Sequence, residues 1–161
     1  GIMGASYARN LIKNGFEVYG FDVDPARMAM LSDEGIHPCE NVSLLATKAS
    51  ELITSLPTPQ ALHEVVRELC GLGTRLTELV VADTCTLTLE DKLLAKSKLE
   101  VSGGCLLDCP VSGTGAQAAK ADLTIFASGD DDGVNRMKPA FAAIGRTTHE
   151  LGVFGDRKSV V

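Results

Sequence analysis

The sequence predicts an α/β domain with a doubly wound, mainly parallel sheet. Three observations predict it. Short apolar runs alternate with segments of helical period from end to end, the pattern of successive βαβ units. A glycine-containing turn, Gly1-Ile2-Met3-Gly4, leads directly into the first helical segment. An acidic residue, Asp22, closes the first apolar run after that helix.

In order, residues 5–14 carry Ala8, Leu11 and Ile12 at helical spacing, with Gly15 where a helix C-terminus favours glycine. Val18, Tyr19 and Phe21 form a strand ending at Asp22, and Pro25 opens a helix stopped by Gly35. A strand over 52–56 closes at Pro57, and a helix follows over 59–70 with Leu62, Val65, Val66 and Leu69 on one face. Residues 79–82 read as a buried strand and 88–99 as a helix. Leu106 and Leu107 mark another strand, followed by the glycine-rich stretch 112–115. The last strand is 123–126. Asp130, Asp131 and Asp132 cap a helix with Val134, Met137 and Phe141, which Pro139 is expected to kink or restart.

Composition narrows the function classes. The 161 residues are 45% hydrophobic, sufficient for one buried core, which must be aliphatic because Trp is absent. A formal charge of -6 with singly scattered Lys and Arg argues against nucleic acid as a partner. No apolar stretch approaches the roughly 20 residues that span a bilayer, and no secretory leader opens the chain, so no membrane partner and a cytoplasmic location are expected. Cys39, Cys70, Cys85, Cys105 and Cys109 have neither CxxC spacing nor a suitably placed His, so they read as buried reduced thiols and no metal site is expected.

Gly1 and Gly4 suit the last two glycines of a G-x-G-x-x-G turn. There the first lets backbone approach a pyrophosphate, and the second lets helix and strand pack closely. Alone, the turn is a weak signal whose default reading is a plain tight turn. Asp22 shifts the balance, because it lies near the offset at which a carboxylate hydrogen-bonds the adenosine ribose. Asp24 is the more natural cap for the Pro25 helix, which leaves Asp22 for the ribose. Two acids would repel a 2′-phosphate, which favours NAD over NADP; Arg27 is the nearby cation that opposes this.

Gly1-Ile2-Met3-Gly4, Ala8-Arg9-Asn10-Leu11 and Phe21-Asp22-Val23 together resemble the opening of the β-hydroxyacid dehydrogenases. These include 3-hydroxyisobutyrate dehydrogenase, tartronate semialdehyde reductase and L-threonate dehydrogenase. Leu56-Pro57 resembles the family's Leu-Pro beside the cofactor. Asp83-Thr84-Cys85-Thr86 resembles its D-x-S-T turn, and Asp108-Cys109-Pro110-Val111-Ser112-Gly113 resembles D-A-P-V-S-G. The resemblance covers essentially the whole chain. It implies the Rossmann-like N-terminal NAD-binding domain of such an enzyme over 1–150, with 151–161 starting the interdomain helix.

The resemblance further implies reversible hydride transfer between NAD and a small 3-hydroxy acid such as 3-hydroxyisobutyrate, D-glycerate or L-threonate. The cofactor residues implied are Gly1, Ile2, Met3, Gly4, Asp22, Leu56, Pro57 and Thr86. Ser112, Gly113 and Thr114 would hold the substrate carboxylate, and Lys158 would be the catalytic Lys. Departures are Cys85 for Ser, Thr114 for a second Gly, and a Lys158 that stands early relative to the family's spacing. A non-catalytic nucleotide-binding module is therefore an alternative. The chain reads as truncated at both ends, with the first strand and the helical second domain absent. The complete protein is expected to be a homo-oligomer and this chain alone inactive and poorly stable. The sheet is then expected to have a gap, or a substitute segment, beside 17–22.

Overall fold

The computed structural model describes residues 1–156, apart from the side chains of Thr74 and Arg75. Helix α1 (Ile2–Lys13) runs into strand β1 (Tyr19–Gly20) and helix α2 (Pro25–Asp33). Strand β2 (His37–Pro38), helix α3 (Val42–Lys48), strand β3 (Glu51–Thr54) and helix α4 (Pro59–Cys70) follow. A short 3-10 helix (Gly73–Glu78) leads to strand β4 (Val80–Asp83), helix α5 (Leu89–Val101) and strand β5 (Cys105–Asp108). The chain continues through strand β6 (Val111–Ser112), helix α6 (Gly115–Ala119), strand β7 (Thr124–Ala127), helix α7 (Asp131–Ile144) and strand β8 (Thr147–Glu150).

Strands β3, β4 and β5 form a parallel sheet in that order. Asp108 at the end of β5 bridges Ser128 just past β7, each amide bonding the other's carbonyl at 2.9 Å. This link continues the layer into the sheet β6-β7-β8, in which β6 is antiparallel and β8 parallel to β7. Strands β1 and β2 pair in parallel as a separate sheet.

The expected gap is present: β1 pairs only with β2 and β3 only with β4 among the described residues. Helix α1 starts between the two strand ends. Gly1 meets Asp22 just beyond β1, and a side chain at Gly4 would lie 3.9 Å from Ser55 just beyond β3.

Two apolar clusters cover the two faces of the sheet. Val80, Ala82 and Leu107 pack with Tyr7, Leu123, Ile125, Val134, Met137 and Phe141 on one face. The alternate residues Val81 and Leu106 pack with Leu52, Leu62, Val66, Leu69, Ala95 and Leu99 on the other. Strand residues alternate faces, so continuous apolar runs such as 79–82 serve both clusters at once.

Helix ends follow their local chemistry. Asp24, Thr58, Thr88 and Asp130 each accept an early amide of the helix that follows. Gly15 and Gly35 take positive φ after α1 and α2. Three differences from expectation stand out. Helix α7 passes through Pro139 without a break; Pro139 and Asn135, whose carbonyl loses its partner, are both exposed, so water can replace that bond. Residues 151–156 form turns, because Gly152 and Gly155 adopt positive φ that a right-handed helix does not use. Strands β2 and β8 and helices α3 and α6 were not expected: they are short or mostly exposed and carry little periodic apolar signal.

Candidate dinucleotide site

The N-terminus of α1 is the focus of the site. Gly1 is its N-cap and provides no side-chain cap, and the first turn holds no acid. The amides of the first turn lack intrahelical acceptors, so this end of a 12-residue helix presents donors and a partial positive charge to an anion. Ile2 is 71% exposed, which leaves the turn open to solvent. A groove of about 350 Å³ extends from Gly1 and Ile2 along α1 to Arg9, Arg27 and Met30 of α2.

Asp22 stands on one side of this turn. One carboxylate oxygen lies against Gly1 N, and the other accepts from Asp24 N at 2.9 Å. Asp24 caps α2 through Ala26 N, and Arg27 Nε lies 3.3 Å from Asp24 Oδ2.

Two loops stand on the other side. Leu56 N donates to Cys85 Sγ at 3.0 Å, which ties Leu56-Pro57 to the turn carrying Thr86. Pro57 and Thr86 are exposed. Burial, reinforced by Asp83, pushes the Cys85 thiol up to about 12, so it is a neutral spacer rather than a nucleophile. The third wall is the loop over 112–115, where a side chain at Gly115 would lie 3.5 Å from Ile2. Asn10 on α1 donates to Ala118 O at 2.7 Å and fixes α6 to α1.

Ser112 is exposed on β6, opposite Thr124. Gly113 has φ +144, and a Cβ there would fall 2.5 Å from Leu123 Cδ2, so glycine is required on both counts. Thr114 caps α6: its hydroxyl oxygen accepts from Gln117 N at 3.3 Å, and its own amide donates to Gln117 Oε1 at 2.9 Å. Both the amide and the hydroxyl oxygen of Thr114 are thus engaged with Gln117 in the capping box of α6. Lys158 lies outside the described residues.

The fold thus brings Gly1, Ile2, Gly4, Asp22, Leu56 and the 112–115 loop around one helix end, with Thr86 joined through Cys85. A larger recess of about 560 Å³ between α4 and α5, lined by His63, Arg67 and Lys98, shares no residue with this rim. Sequence reasoning missed Asn10 and Tyr7, which tie α1 to α6 and to Thr84. It also missed Lys92, which is fully buried with Asp83 and Asp108. One signal was available: Lys92 shares its helix stripe with Ala95 and Leu99, a stripe otherwise turned to the core.

Residues 1–152 match the family described as the NAD binding domain of 6-phosphogluconate dehydrogenase. The chain is 29% identical over 161 residues to 2-(hydroxymethyl)glutarate dehydrogenase of Eubacterium barkeri, covering 96% of this chain and 52% of that protein. It is 32% identical over 148 residues to 3-sulfolactaldehyde reductase of Escherichia coli, covering 90% and 49%. The fold superposes on Mycobacterium tuberculosis 3-hydroxyisobutyrate dehydrogenase, solved with L-serine, with a TM-score of 0.90 and 26% identity over 96% of this chain and 53% of that one. The chain therefore spans about half the length of the relatives it matches. With the uncapped α1 turn, and with Asp22 and the Leu56 and Ser112 segments lying beyond the ends of β1, β3 and β5, the chain, whose residues 1–152 match it, belongs to the family of the 6-phosphogluconate dehydrogenase NAD-binding domain.

Proposed function

We propose that this chain is the nucleotide-binding half of an NAD-dependent 3-hydroxyacid dehydrogenase acting on a small substrate such as 3-hydroxyisobutyrate, D-glycerate or L-threonate. The observation that carries this reading is the uncapped N-terminus of α1, flanked by Asp22 on one side and by Ser55 and Leu56 on the other. The first-turn amides receive the pyrophosphate, and Asp22 accepts from the adenosine ribose hydroxyls. Leu56, Pro57 and Thr86 line the nicotinamide end. The Ser112 hydroxyl, the Gly113 turn and the Thr114 hydroxyl meet the substrate carboxylate. When bound, NAD supplies or accepts the hydride. In this reading the Lys158 ammonium gives its proton to the carbonyl oxygen in reduction, and the neutral amine takes the hydroxyl proton in oxidation.

NAD is the dinucleotide expected, because Asp22 and Asp24 place two negative charges beside the α1 turn while Arg27 is already engaged by Asp24. Titration with NAD and NADP tests this. The parent chain should bind NAD more tightly, and Asp22→Ser should narrow the gap by about tenfold, or 1.4 kcal/mol. Tighter binding of NADP by the parent chain overturns the preference. Absence of binding by either nucleotide overturns the reading as a whole.

A further inference from the structure

Below the rim lies a set of charges that dinucleotide binding does not use. Lys92, Asp83 and Asp108 are each fully buried. Lys92 Nζ forms an ion pair with Asp108 Oδ1, stands 3.1 Å from Asp83 Oδ2 and lies 3.4 Å from the Asp83 carbonyl oxygen. Asp83 Oδ1 accepts from Thr54 Oγ1 at 2.6 Å, and Thr84 Oγ1 donates to Thr54 O at 2.7 Å. Replacing buried charges of this kind by apolar side chains is often neutral or stabilising, so fold stability is a weak account of their presence.

Their positions in the sheet give a better one. Thr54 is the last residue of β3, Asp83 of β4 and Asp108 of β5. The segments leaving those strands carry Leu56-Pro57, Cys85-Thr86 and Ser112-Gly113-Thr114 respectively. Lys92 comes from one turn inside α5, so a single ammonium joins the helix to two strand ends and, through Asp83, to the third.

We infer that Lys92 is a positioning residue whose ammonium, held between Asp83 and Asp108, sets the mutual placement of the three loops at the nicotinamide and substrate end of the site. What the loops hold rests on the function proposed above; the clamp itself does not. The adenosine end, at Gly1, Gly4 and Asp22, has no member in the cluster and should be indifferent to it.

The test uses Lys92→Met together with the double variant Lys92→Met/Asp108→Asn, which avoids two facing buried carboxylates if the single variant does not fold. In the unliganded chain, amide hydrogen exchange should quicken by about tenfold in 54–57, 83–87 and 108–114, with much smaller changes in α1 and α7. Uniform acceleration, or unchanged loops, overturns the inference. With nucleotides, affinity for NAD should fall about fivefold while that for ADP-ribose, which lacks the nicotinamide, stays within about twofold. Equal loss for both, or loss for neither, also overturns it. If the parent chain binds neither nucleotide, the dinucleotide reading fails and hydrogen exchange alone decides the clamp.

Discussion

Replacing Gly113 with Ala should be among the most damaging single-methyl additions in the chain. The new Cβ would sit 2.5 Å from Leu123 Cδ2, closer than Cβ atoms approach other heavy atoms. Leu123 is fully buried among Ala118, Ile125 and Phe141, so it has no open direction in which to rotate. Overpacking of this kind costs about 1–3 kcal/mol. The backbone adds strain, since φ +144 is a conformation that a Cβ disfavours by about 1–3 kcal/mol. One backbone shift relieves part of both costs, so we expect about 3 kcal/mol rather than the sum. For a domain of this size that lowers Tm by about 6–12 °C. Gly115→Ala is the matched control. Its Cβ would meet Ile2 at an ordinary 3.5 Å, its φ is not positive, and it stands in the first turn of α6. That change should be neutral or stabilising by up to about 1 kcal/mol. Urea unfolding of the three proteins in parallel measures both effects. A Gly113→Ala chain within about 1 kcal/mol of the parent, or a Gly115→Ala chain equally damaged, refutes the reasoning.

Asn10→Ala removes the buried bond to the Ala118 carbonyl and should cost about 1–3 kcal/mol, read by urea unfolding. Hydrogen exchange should quicken in α6 ahead of the rest of the chain. Stability should also fall on the alkaline side. Burial, reinforced by Asp83, raises the Cys85 thiol from 9.0 to about 12, and burial, reinforced by Asp130 and Glu100, raises Cys105 from 9.0 to about 11. A raised thiol contributes stability that is complete below pH 9 and is lost as pH rises toward the folded value. Unfolding free energy should therefore decline by up to about 1.4 kcal/mol per pH unit above pH 9 for the buried Cys85, and by less for the half-buried Cys105. Cys85→Ser should remove its share of that slope.

Local sequence by itself determined most of the layered architecture. The alternation of apolar runs with helical stripes identified β3, β4, β5, β7 and the helices α2, α4, α5 and α7; in β4 and β5 burial on both sheet faces leaves a continuous apolar run that needs no partner to be recognised. Glycine and cap chemistry marked their ends: Asp24, Asp130, Gly15 and Gly35 act through bonds and dihedrals within a few residues. Asp22 was singled out by its offset from the glycine turn, whereas Leu56, Thr86 and Ser112 were singled out only by resemblance to family motifs.

Tertiary structure decided the remainder. The gap beside β1 was expected from the resemblance, but that among the described residues β1 pairs only with β2 and β3 only with β4 is seen only in the assembled sheet. The antiparallel β6 and the exposed β8 owe their strand state to hydrogen bonds with β7 rather than to their own composition. Thr114 reads from sequence as a ligand group, yet its amide is bound to Gln117 because the chain turns into a short helix there. Lys92 shows the limit most sharply. A lysine on a helix reads as a solvated charge until the two aspartates it meets, 9 and 16 residues away in sequence, are brought to it by the sheet. A charge is buried only where partners compensate for the lost hydration, and those partners come from other strands.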